Sequence, residues 1–435
     1  MDSKTPFDRA FLEFQANDKA KFPSWVHEIR QAGKETFLKE GFPSMKQDDW
    51  KYTSLRALQS SDFTWSVDLP QELSSLVAQY ALPDALNVVL LNGVCVDILG
   101  SETGVHIQDL RTALRSDDPR IQEVYRLCSP LAQNAFTRLN DAFLGNGIFL
   151  GVDESCQSSR TIHILNLMMP QDSQAFFVRN FVNVGKGSQV KILESCLQLT
   201  SGRAAFANLV SDIFLDERAE LSFAKFQNGG SVHSYVGHTR IFQRKESKSY
   251  GFFHLGESLL SREGISVKLA EKHAETRLRG IFHTKNVHHV DFNVALDHAA
   301  SFTKSRQLFK GVAEDQSRGI YNAHIMVREG LHKIDAHQVS KNLILSSEAE
   351  IDAKPHLEID SDDVKCSHGA AVGRLRPDEV FYLQTRGFTR VQAEAILSKA
   401  FTNEVIMNTK DSAFQELITG YERHLSRHLN IPISN

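Results

Sequence analysis

The chain has 435 residues, with 41% hydrophobic and 23% charged residues, a composition that is ordinary for a globular protein and a length beyond one compact core. Its 49 lysine and arginine residues against 53 aspartate and glutamate residues give a formal net charge of -4, which argues against a nucleic-acid-binding surface. The longest apolar runs, such as ALNVVLL at 85–91, fall well short of the roughly 18–20 residues that span a membrane. We therefore expect two or three structural units, no nucleic-acid partner and no membrane span.

The start of the chain, MDSKTPFDRAFLEF, mixes both charge signs and lacks the apolar stretch of a signal peptide, so we expect a cytoplasmic protein. The cysteines are odd in number, widely spaced and without a CxxC pair, which predicts free thiols and neither a disulfide framework nor a zinc knuckle. They are Cys95, Cys128, Cys156, Cys196 and Cys366.

The first 145 residues mix helical and strand patterns. Pro23 and Gly41 bracket an apolar periodicity that is typical of a helix. Residues 87–99 set two β-rich runs around Asn92 and Gly93, which predicts a hairpin with a two-residue turn. A further helical stretch at 121–143 is interrupted at Pro130. We predict an N-terminal α+β/helical domain at 1–145.

From 146 to 376 the apolar period shifts towards 2, and short β-rich runs follow one another with turns between them. Several runs begin with a small residue, then a polar one, then a β-branched or apolar one, at Ser188, Ala219, Ala274 and Ala349. Many short strands could form a sandwich, a barrel or a solenoid, and the repetition favours a parallel β-helix whose stacked coils share one core. The fold class is therefore mainly β, with helical units at both ends.

The last stretch, 377–435, returns to helical patterns. Pro377 begins a helix that ends at Gly387, and Thr389 and Ser412 each begin a capping-box pattern. The two helices that follow are amphipathic, so each apolar face needs a neighbour or a partner. We predict a C-terminal helical domain at 377–435.

No common nucleotide-binding or hydrolase motif is present, which disfavours intrinsic enzymatic chemistry. Cys366 and His368 are two residues apart, so on an extended strand they share one face, with Cα atoms about 6.5–7 Å apart. Thiolate and imidazole suit zinc, copper or an iron–sulfur species, but two ligands do not complete a site, which indicates an interface with another molecule. The alternative is a packed thiol and a satisfied core histidine.

Other histidines lie near carboxylates or one another. His356 and Glu358 alternate with the apolar Leu357 and Ile359. His356 could add a donor to this pair, although a solvated strand face explains the pattern better. The residues His283, His288 and His289 are likewise interpreted as surface residues and not as a ligand cluster.

The segment DDVKCSHGAAVG (362–373), with DEVFYLQTRGFTRVQAEAILSKAF after it, resembles the C-terminal signature of the SufB/SufD family of iron–sulfur cluster assembly proteins. KPHLEI (354–359) and GFPSMKQDDWKYTSL (41–55) extend the resemblance over most of the chain. The sequence is more similar to the SufD branch, because SufB proteins carry a KCGAH-like context and a Glu-His-Glu that are missing here. Ala371, His356 and the segment RGIYNAHIMV (318–327), interpreted as a loop, depart from the family pattern.

The resemblance implies a right-handed parallel β-helix flanked by an N-terminal domain and C-terminal helices. It also implies a non-enzymatic scaffold subunit that pairs with SufB through the β-helix ends and docks the ATPase SufC through its C-terminal helical region. His368 would be an interface ligand for a transient iron–sulfur cluster formed with SufB, and Cys366 its companion. No cofactor is expected on the isolated chain, which could form a homodimer, and involvement of reduced flavin in the full complex stays open.

Two alternatives belong to other classes. A β-helix can carry a polysaccharide-active site, although the secretory signal that such enzymes usually have is not apparent. A purely structural solenoid for protein binding would differ only in binding no metal or cluster.

Overall fold

The computed structural model describes residues 5–17, 21–65, 73–170, 173–199, 204–407 and 412–429. Seven helices precede most of the strands and three follow them. They are α1 (Asp8–Asn17), α2 (Ser24–Glu40), α3 (Arg56–Gln59), α4 (Leu73–Tyr80), α5 (Leu110–Arg115), α6 (Pro119–Cys128), α7 (Ala135–Ala142), α8 (Pro377–Thr385), α9 (Arg390–Met407) and α10 (Ser412–Leu429). None of the helices in these ranges has the length and apolar character needed to cross a bilayer.

The strands fall into two sheets, and along most of the chain successive strands alternate between them. They are β1 (Leu86–Leu91), β2 (Val94–Leu99), β3 (Val105–Asp109), β4 (Gly147–Val152), β5 (Gln157–Met168), β6 (Gln174–Val184), β7 (Gln189–Gln198), β8 (Ala205–Leu215), β9 (Glu220–Asn228), β10 (Gly230–Gln243), β11 (Lys248–Leu255), β12 (Ser258–Leu269), β13 (Glu275–Thr284), β14 (His289–His298), β15 (Lys304–Ala313), β16 (Arg318–Val327), β17 (His332–Ile344), β18 (Glu350–Ile359) and β19 (Asp363–Gly373).

Sheet A runs in the order β18-β16-β14-β12-β10-β8-β6-β4-β3, and sheet B in the order β19-β17-β15-β13-β11-β9-β7-β5-β1-β2. Neighbours pair in parallel except β1 with β2 and β3 with β4, which are antiparallel. The chain thus alternates between the sheets and stacks one coil on the next, which confirms the predicted β-solenoid. The sheets run without a break across residue 145, so the domain boundaries at 145 and 376 stay predictions.

The turns between coils explain the recurring small residue at the strand starts. Ser188, Ala219 and Ala274 each close a turn by donating their backbone N–H to the carbonyl three residues earlier. Each is at most 1% exposed. In the middle turn, Arg218 adopts a positive φ of 57°. A small side chain is needed because the corner points into the shared core, where a larger one has no space.

Local signals in the N-terminal part are confirmed. Helix α2 is bounded by Pro23 and by Gly41, whose φ is 68°. The hairpin β1–β2 turns at Asn92 and Gly93, with φ values of 51° and 88°, the conformation that a two-residue hairpin requires. A short 3-10 turn containing Pro130 separates α6 from α7, as the interruption predicted.

Helices cover the outer faces of most coils. Phe7 and Phe136 of the N-terminal part pack against Phe206 of β8 on sheet A. On the other side, Ile418 and Tyr421 of α10 belong to the apolar cluster on the outer face of sheet B. The apolar face of α10 therefore finds its neighbour within the chain. We call β5 to β14 the covered coils.

The last two strands, β18 and β19, form what we call the terminal coil, and their exposed positions outnumber those of any covered strand. Strand β18 contains Pro355, which lacks a backbone N–H and is tolerated because β18 is an edge strand. The segment 318–327 is not a loop: it forms β16, because its alternating residues Ile325 and Val327 enter the core between the sheets. That interpretation of the sequence was wrong.

Candidate metal-binding residues at the terminal coil

Cys366 and His368 lie on β19, the last strand of sheet B. Parallel pairing with β17 sets Cys366 beside Ala336 and His368 beside Gln338. Ala336 and Gln338 are fully buried, so this face of the sheet points into the solenoid. Register partners on adjacent strands point the same way, and both candidate residues therefore face the inner side, as strand alternation predicted.

The two side chains differ in solvent access. Cys366 is half-buried and packs against the interior apolar cluster, whereas His368 is exposed because none of the described strands is stacked on β19 beyond β17. Burial raises the pKa of the Cys366 thiol, with a smaller raising contribution from Asp335, opposed by a hydrogen bond from the backbone of Ala336. In this chain the thiol thus resists deprotonation, and His368 is the more available donor of the pair.

A polar chain inside the solenoid leads to the position of His368. The hydroxyl of Tyr321 donates to Gln307 at 3.1 Å, and Gln307 lies 3.5 Å from the buried Gln338. Gln338 in turn donates to the backbone carbonyl of His356 at 3.1 Å, which joins sheet B to sheet A. These hydrogen bonds hold β17, the strand that pairs with the His368 strand β19.

His356 does not join this pair. Leu357 and Ile359 of β18 pack on the interior, so the alternate residues His356 and Glu358 point outward and are exposed. The solvated strand face that the sequence indicated is confirmed for them. Among the described residues, no third histidine, cysteine or carboxylate converges on Cys366 and His368.

The histidines at 283, 288 and 289 differ in solvent exposure. His283 is exposed and pairs with Glu314 at 2.7 Å, as a surface residue should. The surface interpretation is wrong for His288, which is 2% exposed, and for His289, which is half-buried with its Nε2 3.1 Å from the hydroxyl of Thr53. No local sequence pattern indicates that Thr53, far away in the chain, would cover β14.

The five cysteines are all free, as predicted. Burial raises the pKa of each of the other four as well, to about 11 for Cys95 and about 12 for Cys196. None of them is thus activated as a nucleophile or a ready thiolate ligand.

An exposed apolar patch, missed by the sequence patterns, lies on α8, the loop after it and the start of α9. Its members are Phe381 (65% exposed), Tyr382 (57%), Phe388 (41%) and Val391 (76%). A capping box stabilises the N-terminus of α9. The backbone N–H of Thr389 donates to Gln392 Oε1 at 2.9 Å, and the backbone N–H of Gln392 donates to Thr389 Oγ1 at 3.3 Å. Large apolar side chains that are left exposed so close together in the chain are typical of an interaction site.

Comparison with known proteins gives matches over almost the whole chain. Residues 1–164 match the family model described as the SufBD protein N-terminal region, and residues 167–401 match the one described as SUF system FeS cluster assembly, SufBD core domain. The iron–sulfur cluster assembly protein SufD of Escherichia coli is 25% identical, over 93% of each chain. SufD of Bacillus subtilis is 23% identical over 93% of this chain and 95% of its own. The chloroplastic protein ABCI7 of Arabidopsis thaliana is 25% identical, over 88% and 82%.

Proposed function

The chain belongs to the SufBD family of the SUF iron–sulfur cluster assembly system, and from this membership we propose that it is a non-enzymatic scaffold subunit of the SufD type. In this role it pairs with SufB at the terminal coil, where His368 and Cys366 contribute ligands to a cluster that the two subunits assemble. It also docks the ATPase SufC. The observation that carries the proposal is an incomplete ligand pair on an edge strand, made of an exposed imidazole and a half-buried thiol.

The donor chemistry supports this role. A nitrogen and a sulfur donor on one strand face suit iron or an iron–sulfur cluster, which usually needs four ligands. His368 is exposed at the open end of the stack, where the remaining ligands can come from another subunit. The iron–sulfur species is cargo in this scheme, and the chain holds it only in the complex.

The terminal coil also offers a means of pairing. Among the described strands, β19 is bonded only to β17, so the backbone groups of its other edge are free for another chain. A strand that carries no proline can accept a partner strand by β-augmentation, and residues 363–373 contain none. SufB is the partner we propose for this edge, and a second copy of this chain can occupy it when SufB is absent.

The exposed apolar patch at 381–391 supports a docking surface for SufC. The apolar face of α10 is buried against sheet B, so the part of the C-terminal helices that remains available is α8 with the start of α9. ATP hydrolysis would be supplied by SufC, because this sequence carries no phosphate-binding loop. Motion of α8 then reaches β19 directly, since only residues 374–376 separate them.

The ligand role is tested with His368→Ala in the complex with SufB and SufC, reconstituted under anaerobic conditions. We expect the variant to co-purify with both partners and to lose cluster formation, measured as bound iron and sulfide. His337→Ala is the matched control, because His337 is another partly exposed histidine at the neighbouring register position of β17. Equal cluster content in the His368→Ala and wild-type complexes would reject the role.

The docking surface is tested by placing charge on the apolar patch. The double variant Phe381→Glu, Val391→Glu should weaken association with SufC by at least about tenfold, because central apolar residues dominate binding energy at interfaces. Val287→Glu is the control, since Val287 is 64% exposed on a solenoid turn. Undiminished SufC binding by the double variant would remove α8 and α9 from the interface. Deleting the chain from residue 389 is a poorer test, because it also uncovers sheet B.

A further inference from the structure

A second group of side chains of the types that ligate metals lies on the outer face of sheet A. His324 of β16 and His356 of β18 are register partners on adjacent parallel strands, and Glu358 follows two residues after His356. The ligand atoms of the three side chains all lie within 4.8 Å of one another, and no other such trio occurs among the residues that the structure describes. The strand register itself brings the three side chains together.

His324 has a buried ring nitrogen that lies beside the carboxylate of Glu358. Its Nε2 atom is buried and makes no hydrogen bond to any described residue. Glu358 Oε2 lies 3.1 Å from it, close enough for an ion pair but outside hydrogen-bond geometry. A buried polar atom without a hydrogen bond is costly unless another partner satisfies it, and a cation held between the imidazole and the carboxylate is such a partner.

The spacing suits a first-row ion. Zinc–nitrogen and zinc–oxygen bonds are about 2.0–2.2 Å long, which sets two donors of a tetrahedral ion roughly 3.4 Å apart. His324 Nε2 and Glu358 Oε2, at 3.1 Å, are within a few tenths of an ångström of this separation, and the ring centroids of His356 and His324 are 4.8 Å apart. Because His356 is exposed, a small change of its side-chain torsions brings its nitrogen to the same ion.

We propose that His324, His356 and Glu358 form a binding site for a borderline divalent transition-metal ion of the Zn²⁺ and Fe²⁺ class. Two imidazoles and one carboxylate fit such ions and leave positions open for water, whereas Mg²⁺ and Ca²⁺ prefer oxygen ligands alone. The site points away from the inner face that carries His368. It therefore needs no partner subunit and does not depend on the proposed function.

The test is calorimetric titration of the metal-free isolated chain with Zn²⁺, and separately with Fe²⁺ under anaerobic conditions. Titrations are repeated in a Cys366→Ala background, which removes the half-exposed thiol as a competing ligand. His356→Gln should lose one equivalent of bound metal or weaken its affinity on the order of a hundredfold, because even residues behind the direct ligands contribute 10–100-fold. Since His356 is exposed, this variant should fold normally, as its unaltered thermal unfolding without metal would show.

The matched control is His283→Ala, which removes an exposed histidine that faces only one carboxylate, Glu314. It should bind metal as the wild type does, and Mg²⁺ should give no saturable binding to either. Glu358→Gln should reproduce the loss seen with His356→Gln. Unchanged Zn²⁺ and Fe²⁺ stoichiometry and affinity in His356→Gln would overturn the proposal. Loss in Cys366→Ala alone would also overturn it, because the ion would then be thiol-bound.

Discussion

The covered coils and the terminal coil both carry inward-facing histidines, but these histidines have different environments. In β14, His298 is fully buried, with its two ring nitrogens bonded to Thr303 and Ser305 at 2.7 and 2.9 Å. In β19, His368 also faces inward but is exposed, because the part of the chain that the structure describes has no coil beyond it. The comparison teaches that the position of a coil in the stack, more than the residue type, decides whether an imidazole is structural or available to a ligand.

The largest difference between the covered coils and the terminal coil should appear in how much their ion pairs contribute to stability. Asp212 is fully buried under the N-terminal helices and accepts hydrogen bonds from Arg179 at 2.7 Å and Arg240 at 2.6 Å. Asp212→Ala leaves two buried arginines short of their partner and should lower the free energy of unfolding by about 3–5 kcal/mol. At the terminal coil, Asp352 binds the partly exposed Arg318 at 2.7 Å, and Asp352→Ala should lower it by less than about 1 kcal/mol. Denaturant titration measures both, and similar losses would erase the distinction.

The next effect is a dependence on pH that the buried histidine imposes. Desolvation lowers the pKa of His298 to about 4, against smaller raising contributions from Asp297 and Asp335. Between this pKa and the ordinary histidine value of about 6.5, the unfolded chain binds a proton at His298 and the folded chain does not. The contribution of His298 to stability is therefore complete above about pH 6.5 and is lost as the pH falls towards 4.

Between pH 8 and pH 5, the wild type should therefore lose roughly 2 kcal/mol more stability than His298→Asn, whose amide does not titrate. The measurement is the free energy of unfolding of both proteins from denaturant titrations at each pH. Parallel pH profiles for the two proteins would mean that His298 accepts its proton in the folded state.

Removing a thiol should give a smaller difference in stability between the region of the covered coils and the terminal coil. Cys128 is fully buried, with its Sγ 3.4 Å from the carbonyl oxygen of Ile213, whereas Cys366 is half-buried at the terminal coil. Cys128→Ala should cost about 1–2 kcal/mol of unfolding free energy and Cys366→Ala about 1 kcal/mol or less. Thermal unfolding of the two variants under reducing conditions ranks them. A greater loss from Cys366→Ala would indicate a packing role for that thiol.

The smallest expected change is the stability of His368→Ala in the isolated chain. An exposed side chain without a structural partner contributes within about 0.5 kcal/mol, so the variant should unfold almost as the wild type does. The same denaturant titration provides the value. A loss above 1 kcal/mol would place His368 with the structural histidines of the covered coils.

Sequence alone determined the local features of this protein. Pro23 and Gly41 bound α2, and Asn92 with Gly93 makes the hairpin, because backbone preferences act within a few residues. The small residues at 188, 219 and 274 also mark the coil corners in the sequence, because a larger side chain has no space where a corner points into the core. The inner face shared by Cys366 and His368 also followed from strand alternation, since that period is fixed at two residues.

Only the tertiary structure decided which distant residues meet. His324 and His356 are one coil apart, and their pairing depends on the combined lengths of the intervening strands and turns, which no local pattern specifies. The burial of His288 and the covering of His289 by Thr53 depend on how the N-terminal part folds back over sheet A. The exposure of His368 has a simpler cause: the stack ends there, so the side chain that would have been core in any earlier coil faces solvent.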